Sequence, residues 1–213
     1  MSVQSLRIVR LFLWGILAVA LLTVGTMYLL RVSMLANASK PPALVNDEVR
    51  PLTPMGQAPQ FTLAGHDGKL FDSKSLKGRV YVVDFFFTKC KGICPILQAN
   101  MKKLQEVFAD NANVRLLSIS VDPKADTVER LASEAKKLGA KSSVWTWTVG
   151  PTKETGRIAK GYKLVGTEVP GEILHSNRFV LVDGYGKIRG YYTGTEHEDV
   201  EAIQQDIRRL LGE

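Results

Sequence analysis

The sequence has 213 residues, of which 45% are hydrophobic, so we expect one globular domain with a substantial core plus some appendages. Lysine and arginine outnumber the acidic residues by 28 to 21, but three of the arginines lie within the first 31 residues, where no acid occurs. Residues 32–213 therefore carry 25 basic and 21 acidic residues, without a basic stripe interleaved with aromatics, which argues against a nucleic-acid-binding protein.

The first predicted element is an apolar helix near the N-terminus. Residues 11–30 contain no charge, and a helix of this length can cross about 30 Å of hydrocarbon. Arg7 and Arg10 precede it without an opposing acid, so the positive-inside tendency places residues 1–10 in the cytoplasm. We therefore expect a single-pass anchor in the inner (plasma) membrane, with the rest of the chain in the periplasm or an equivalent extracytoplasmic space.

A cleaved signal peptide is the alternative for this leader. Ala36 and Ala38 flank Asn37 in a small-x-small pattern, and cleavage after it would give a mature N-terminus at Ser39. However, the apolar stretch is longer than the roughly 7–15 residues of a signal peptide, and Arg31 separates it from the cleavage pattern. The length therefore favours a retained anchor.

Beyond the leader, the chain divides into a tether and a domain. Residues 31–58 are rich in proline and poor in large apolar residues, which predicts an extended tether. Residues 59–213 are predicted to form the domain. Its first elements are a hairpin, with strands at residues 61–63 and 69–71, and a continuous apolar run over residues 80–87 that is typical of a strand buried on both faces.

Strand and helix patterns then alternate to the end of the chain. After Pro95, apolar side chains recur at helical spacing, at Leu97, Met101, Leu104 and Phe108. Further strands are predicted at residues 114–121, 145–149, 179–182 and 187–193, and further helices at residues 126–138, 153–162 and 198–211. The order β-hairpin, βαβα, ββα predicts an α/β domain with a central sheet flanked by helices.

Several polar and aromatic residues are interpreted as structural. Asp126, with Glu129 three residues later, is predicted to form a capping box, and Asp122 before Pro123 is typical of a turn. The aromatic residues of the same region are interpreted as core or rim residues, namely Trp145, Trp147 and Tyr162.

The two cysteines of the chain, Cys90 and Cys94, lie between the apolar strand and the following helix. Pro95 suits the first helical position, so Cys94 should stand at the N-cap boundary and Cys90 in the preceding loop. The helix dipole and the nearby Lys89 and Lys91 favour thiolates, so both thiols are expected to ionise more readily than a free thiol. Such thiolates can exchange disulfides or bind a soft metal, and their spacing leaves both functions open.

The three histidines are the candidates for a third metal ligand. His66 lies in a polar turn and is interpreted as a surface residue, and His197 as a solvated or capping residue of the last helix. His175 precedes the strand predicted from residue 179, and in a sheet of thioredoxin type this strand end adjoins the cysteine loop. Two thiolates and one imidazole would form a trigonal soft site suited to Cu(I) and, with a weak additional ligand, to Cu(II).

Three separated strings of the sequence occur together, FTKCKGICP at residues 87–95, SISVDPKADT at residues 118–127 and HS at residues 175–176. They resemble the metal loop, the second strand with its turn, and the distal histidine of the Sco/SenC family of membrane-anchored, thioredoxin-like copper proteins. The resemblance covers about residues 55–211 and implies copper binding by Cys90, Cys94 and His175. It also implies a role in building the copper centre of cytochrome c oxidase, with its copper-binding subunit or another copper chaperone as partner.

The loop departs from the family pattern at two places. Lys91 and Gly92 replace the Pro-Asp pair that usually follows the first cysteine, and Lys89 stands where a histidine is common. The loss of the acidic residue removes a negative charge beside the metal.

An enzyme is the alternative to a chaperone. Cys90 and Cys94 would then be the redox pair of a thiol-disulfide oxidoreductase that reduces the cysteines of a copper-site or cytochrome assembly partner. Thioredoxin-type enzymes commonly place a proline just before the strand that faces the cysteines, and the approach to residue 179 has none. A thiol peroxidase is a weaker alternative, and a structural zinc site is weaker still because a closed zinc site needs four ligands.

Overall fold

The structure, a computed structural model, describes residues 14–17, 19–31, 51–164 and 176–212. The chain divides into two compact units, Met1–Arg50 and Pro51–Glu213. The first unit contains helix α1 (Trp14–Arg31), whose 18 residues have a mean hydropathy of 1.6. Its length of about 27 Å is close to the thickness of a hydrocarbon core. Among the described residues, α1 is the one helix that is long and apolar enough to cross a membrane.

The second unit is built on a mixed β-sheet. The described strands are β1 (Gly56–Gln57), β2 (Thr62–Gly65), β3 (Leu70–Asp72), β4 (Val80–Phe86), β5 (Val114–Ser120), β6 (Trp145–Val149), β7 (Arg178–Val182) and β8 (Lys187–Thr193). The described α-helices of this unit are α2 (Cys94–Val107), α3 (Val128–Leu138), α4 (Thr152–Gly161) and α5 (His197–Leu211), and a 3-10 helix covers Ser73–Leu76. The strand order is β1-β8-β7-β4-β5-β6-β2-β3.

The centre of the sheet consists of three parallel strands. β4 pairs in parallel with β5, from Val80 opposite Val114 to Phe86 opposite Ser120, and β5 pairs in parallel with β6. The hairpin β2–β3 adds to the free edge of β6, and the hairpin β7–β8 adds to β4, both antiparallel. The carboxyl ends of β4 and β5 therefore meet at one edge of the sheet, and the cysteine loop leaves the sheet from there.

Both faces of β4 are buried, as the apolar run predicts. Val80, Val82 and Phe86 pack with α2, α3 and α5 in one core cluster. The alternate residues of β4 pack with α4 and the β2 strand in a second cluster, through Tyr81, Val83 and Phe85. Because the helices cover both faces, the predicted α/β domain with a flanked central sheet and an N-terminal hairpin is confirmed.

Strand β1 precedes the hairpin and pairs with β8 through Gly56 and Ile188. One detail at an element end differs from the sequence predictions. The N-cap of α3 is Thr127, whose Oγ1 accepts a hydrogen bond from Arg130 N at 3.3 Å. The predicted capping box at Asp126 is therefore wrong, and that carboxylate has other partners.

His66 is buried, and its prediction as a surface residue is wrong. The pairing of Gly65 with Thr148 places the next residue, His66, beside Trp147. The Trp147 amide donates to His66 Nδ1 at 3.1 Å, and His66 Nε2 lies 3.1 Å from Ser142 Oγ. His66 therefore belongs to the junction between the hairpin and β6, not to the cysteine site.

Candidate metal centre

The cysteine loop connects the carboxyl end of β4 with the N-terminus of α2. Ile93 is the N-cap of α2, Cys94 is its first residue, and Pro95 occupies its first turn. Cys90 lies in the loop, where its amide donates to Phe87 O at 3.2 Å. The predicted placement of one thiol at the helix start and the other in the loop is confirmed.

The Cys90 thiol is partly exposed and is the better ionised of the two. Partial burial opposes its ionisation, but hydrogen bonds from the Cys94 thiol and from the main chain of residues 92–94 outweigh this cost. The pKa of Cys90 is therefore lowered below its ordinary value. The amides that stabilise this thiolate belong to Gly92, to the N-cap Ile93 and to Cys94, the first residue of α2, where main-chain donors have no partner within the helix.

Cys94 behaves in the opposite way. Its side chain is only 6% exposed, and burial raises the pKa of its thiol to about 12. The hydrogen bond with Cys90 and the negative charge of Asp84 raise it further. The prediction that both thiols ionise readily is therefore wrong for Cys94, because desolvation of the thiolate outweighs the helix dipole. Cys90 is therefore the more readily ionised thiol of the pair, and Cys94 keeps its proton at neutral pH.

A buried carboxylate fixes the start of the loop. The Asp126 side chain accepts hydrogen bonds from Thr88 N at 3.0 Å, from Thr88 Oγ1 and from Ser120 Oγ at 2.6 Å. Arg130 completes the group, with Nε 2.6 Å from Thr88 Oγ1 and 3.9 Å from Asp126 Oδ1. Because Thr88 lies two residues before Cys90, Asp126 positions the loop through it and is more than a turn residue.

A second buried carboxylate lies beneath the thiols. Asp84 accepts hydrogen bonds from Ser118 Oγ and from Gln98 Nε2, the latter at 2.7 Å. Burial raises the pKa of Asp84 to about 7, although both hydrogen bonds lower it. Ser118 in turn accepts a hydrogen bond from Trp145 Nε1 at 2.9 Å. This network joins β4, β5, β6 and α2 below the cysteine loop.

Both cysteines open into a surface groove with a volume of about 290 Å³. Its walls come from the end of β4, the cysteine loop, α2, α3 and β6. The lining residues are Phe86, Phe87, Thr88, Cys90, Cys94, Pro95, Gln98, Glu134, Lys137, Leu138 and Trp147. The dithiol is therefore accessible from one side through a cleft that is large enough for part of a binding partner.

The third predicted ligand, His175, lies outside the described residues. The described parts of the chain contain no cluster of three histidine, cysteine or acidic side chains that could hold a metal ion. His66 is bound to β6 as described above, and His197 is exposed at the start of α5, 3.3 Å from Glu201. The structure thus brings Cys90 and Cys94 together, and the role of His175 stays a prediction.

The sequence matches the SCO1/SenC family model over residues 52–212. The chain belongs to the SCO1/SenC family. A SCO1 protein homolog of Bacillus subtilis is 33% identical over 192 residues, which cover 88% of this chain and 94% of that protein. The membership confirms the resemblance that the three sequence strings indicate.

Solved structures of the SCO1/SenC family have the same fold. BsSco, described as a Sco-family cytochrome c oxidase assembly protein with a disulfide switch, is 32% identical to this chain. The two structures superpose with a TM-score of 0.65, and the match covers 74% of this chain and 95% of BsSco. Arabidopsis thaliana ScoI, solved with copper bound, is 24% identical with a TM-score of 0.58, covering 73% and 99% of the two chains. The predicted thioredoxin-like fold is thereby confirmed.

Sequence reasoning missed two polar residues below the thiols, Asp84 and Gln98. One signal was present for Asp84, because it is the one charged residue within the apolar run of residues 80–87. A charge in a strand that is buried on both faces needs buried partners and so indicates a site. Gln98 gave no comparable signal, because a glutamine in an amphipathic helix usually faces water.

Proposed function

We propose that this chain is a membrane-anchored copper chaperone of the SCO1/SenC family that assists assembly of the copper centre of cytochrome c oxidase. The observation that carries the proposal is the dithiol of Cys90 and Cys94 at the N-terminus of α2, within hydrogen-bonding reach of each other. Support comes from the copper bound to Arabidopsis thaliana ScoI and from the assembly role of BsSco.

The donor set fits copper as cargo. Two neighbouring sulfur donors suit the soft Cu(I) ion, and a histidine as third ligand allows Cu(II) as well. We assign these roles to Cys90, Cys94 and His175. Because Cys94 holds its proton at neutral pH, copper uptake releases this proton, and the amides around Cys90 favour the thiolate form of that ligand.

Anaerobic titration of the reduced full chain with Cu(I) tests the proposal. We expect one copper ion per chain in competition with a chromophoric Cu(I) chelator. Cys90→Ser and Cys94→Ser should each abolish competition, and His175→Ala should weaken it. His197→Ala is the matched control, because this histidine is exposed and distant from the loop in sequence, and it should bind like wild type. Full-strength binding by a cysteine variant would contradict the proposal.

We also propose that α1 is a retained anchor with the N-terminus in the cytoplasm and the domain on the outer side of the inner (plasma) membrane. Both thiols of the chain lie in the domain. A membrane-impermeant maleimide should therefore label intact cells that express the reduced protein. Labelling only after lysis would contradict the orientation, and a mature N-terminus at Ser39 in the purified protein would contradict the retained anchor.

The asymmetry of the two thiols supports a second candidate function, a thiol-disulfide oxidoreductase. Cys90 is partly exposed with a lowered pKa, as an attacking thiol requires, and Cys94 is the buried thiol that would resolve a mixed disulfide. In such a reaction the Cys90 thiolate attacks a partner disulfide and displaces a thiolate. Cys94 then loses its proton and displaces the second partner sulfur, leaving a Cys90–Cys94 disulfide.

Reduction of a partner disulfide without copper distinguishes the two functions. A reductase should reduce the oxidised copper-binding domain of an oxidase subunit at the same rate with and without a Cu(I) chelator, and Cys94→Ser should stop at a mixed disulfide. A chaperone should transfer copper to the reduced domain and leave the oxidised domain unchanged. The two readouts are a copper-dependent absorption spectrum and a count of free thiols.

A further inference from the structure

Two arginines stand side by side at the edge of the sheet that lies opposite the cysteine loop. Arg79 directly precedes β4, and Arg115 is the second residue of its parallel neighbour β5, so both lie where these strands begin. Partial burial and the positive charge of Arg79 lower the pKa of the Arg115 guanidinium. The two like charges are therefore close enough to repel each other.

Neither arginine contacts a carboxylate in the parts of the chain that the structure describes. Arg79 donates to Ser75 O at 3.3 Å, and Arg115 donates to Val114 O at 2.7 Å and to Ala112 O at 3.0 Å. These bonds use the Nη1 atom of each guanidinium and leave its other N–H groups for an external acceptor. A planar guanidinium with unused donors suits the oxygens of a phosphate group.

The turn between β7 and β8 extends the same edge. Gly78 N donates to Gly184 O at 2.8 Å, which holds the turn beside the start of β4. The backbone of the turn is fixed, because the Asp183 carboxylate accepts hydrogen bonds from Tyr185 N and Lys187 N. The Tyr185 side chain is nevertheless 85% exposed. The turn therefore presents an exposed aromatic ring close in sequence to an exposed cation, Lys187.

Five residues form what we call the basic edge, namely Lys77, Arg79, Arg115, Tyr185 and Lys187. The segments that contain them, residues 77–80, 110–115 and 183–189, have five basic and two acidic residues. The acid of the turn is buried and forms an ion pair with Arg189 at 2.6 Å. This pairing leaves four cations and one exposed acid, Asp110, so the edge carries an excess of positive charge.

The place where the chain enters the domain favours a bilayer as the partner of this edge. β1 pairs with the start of β8, with Gln57 opposite Lys187, and Arg189 Nη1 donates to Leu52 O at 2.6 Å. The 19 residues that follow Arg31, the last residue of α1, therefore join the domain at the basic edge. So short a connection keeps the basic edge at a high effective concentration near the membrane of the proposed anchor. Basic and aromatic side chains are the ones that bind at anionic headgroups.

We propose that the basic edge binds the anionic phosphate headgroups of the membrane in which α1 is anchored. The guanidinium groups of Arg79 and Arg115 donate to phosphate oxygens, and the Tyr185 ring lies at the level of the headgroups. Because the cysteine loop leaves the opposite edge of the sheet, this contact turns the dithiol away from the bilayer. The inference rests on the proposed anchor and is independent of copper binding.

Lysine acetylation of the full chain in lipid nanodiscs tests the contact. The reduced, copper-free protein is treated with a water-soluble acetylating reagent in phosphatidylcholine discs, without or with phosphatidylglycerol, and peptide mass spectrometry gives the rate at each lysine. In the anionic discs we expect Lys77 and Lys187 to react at least about fivefold more slowly, since each basic residue near an anionic surface contributes about this factor. Lys124 and Lys153, exposed beyond the ends of β5 and β6, should react equally in both discs.

Two double variants separate this edge from the total charge of the domain. Arg79→Gln with Arg115→Gln should remove most of the protection, because two contributions of about fivefold each are lost. Lys124→Gln with Lys153→Gln is the matched control, which removes the same charge from the opposite edge and should keep the protection. Tyr185→Ser changes an exposed side chain, so it keeps the fold if the double arginine variant does not, and it should also lower the protection. In about 1 M NaCl, where the Debye length is about 3 Å, the protection should be lost while the chain stays in the discs.

Equal acetylation of Lys77 and Lys187 in the two kinds of disc would overturn the inference. Protection of the same lysines in phosphatidylcholine discs by inorganic phosphate would show a small-anion site in place of a bilayer contact, and would overturn it as well. A chain that does not stay in the discs would refute the proposed anchor alone, because anionic vesicles added to that chain still report whether the edge binds headgroups. A chain that shows the protection but binds no Cu(I) would refute the chaperone function and leave the contact intact.

Discussion

The replacement Asp126→Asn should loosen the cysteine loop and destabilise the domain. The Asp126 carboxylate is fully buried, with a side-chain exposure of 0%, and it accepts three hydrogen bonds from Thr88 and Ser120. An asparagine has the same shape, but its NH₂ group is a donor and faces at least one of these donors. Arg130, 3.9 Å from Asp126, would also lose its charge partner.

The expected cost follows from these contacts. Hydrogen bonds to a charged acceptor contribute about 1.5–3 kcal/mol each, and a buried donor left without an acceptor costs about 1–3 kcal/mol. The Thr88 hydroxyl can rotate and so recover part of the loss. We therefore expect the free energy of unfolding to fall by about 2–3 kcal/mol, which lowers the Tm of a domain of this size by about 5–10 °C.

Thermal unfolding of the reduced full chain, followed by near-ultraviolet circular dichroism, measures this change. Glu129→Gln is the matched control, because it removes the same charge three residues away from an exposed side chain in the first turn of α3, and it should lower the Tm far less. The same two variants can be compared in the Cu(I) titration, which shows whether copper binding depends on the loop geometry. Only Asp126→Asn should weaken copper binding. Equal Tm values for the two variants would refute the role of Asp126 as the anchor of Thr88.

The remaining predictions concern the pH dependence of the site. Iodoacetamide should modify Cys90 first, with a pH midpoint below that of an ordinary thiol, because the pKa of Cys90 is lowered; peptide mass mapping that finds Cys94 equally modified would contradict this. Cu(I) affinity should rise with pH near neutrality, because binding displaces the proton that Cys94 holds there; a flat chelator competition between pH 6.5 and 8 would contradict it. Burial raises the pKa of Asp84 from 3.8 to about 7, so its stabilising contribution is present at low pH and is lost as pH rises. This contribution to the free energy of unfolding should thus fall by about 3 kcal/mol from pH 4 to neutrality, and denaturant titrations of Asp84→Asn should lack this fall.

The elements of the fold follow largely from local sequence patterns. The run predicted at residues 80–87 is β4 (Val80–Phe86), and the hairpin predicted at residues 179–182 and 187–193 is β7–β8. Periodicity succeeds there because a strand or helix needs only its own residues to define its apolar face. Helix α2 begins at Cys94 for an equally local reason, the proline in its first turn.

The errors concern residues whose partners are distant along the chain. Asp126 bonds to Thr88, 38 residues earlier, because β4 and β5 end side by side. His66 bonds to Trp147, 81 residues away, because the hairpin pairs with β6. Local sequence alone predicts a capping residue at Asp126 and a surface residue in a polar turn at His66. Tertiary packing overrides both predictions.

Packing also decides the chemistry of the dithiol. A helix N-terminus favours a thiolate, yet its amides reach Cys90 in the loop, while Cys94 is turned into the core beside Asp84. Cys90 is therefore the more exposed and the more readily ionised thiol, and Cys94 keeps its proton until a metal or a second sulfur displaces it. Copper loading and disulfide exchange must then begin in the same way, with Cys90 engaging the incoming partner. The two functions diverge only at the second step, in which Cys94 gives up its proton either to complete a metal site or to close a disulfide. Variants at Cys94 therefore distinguish them best.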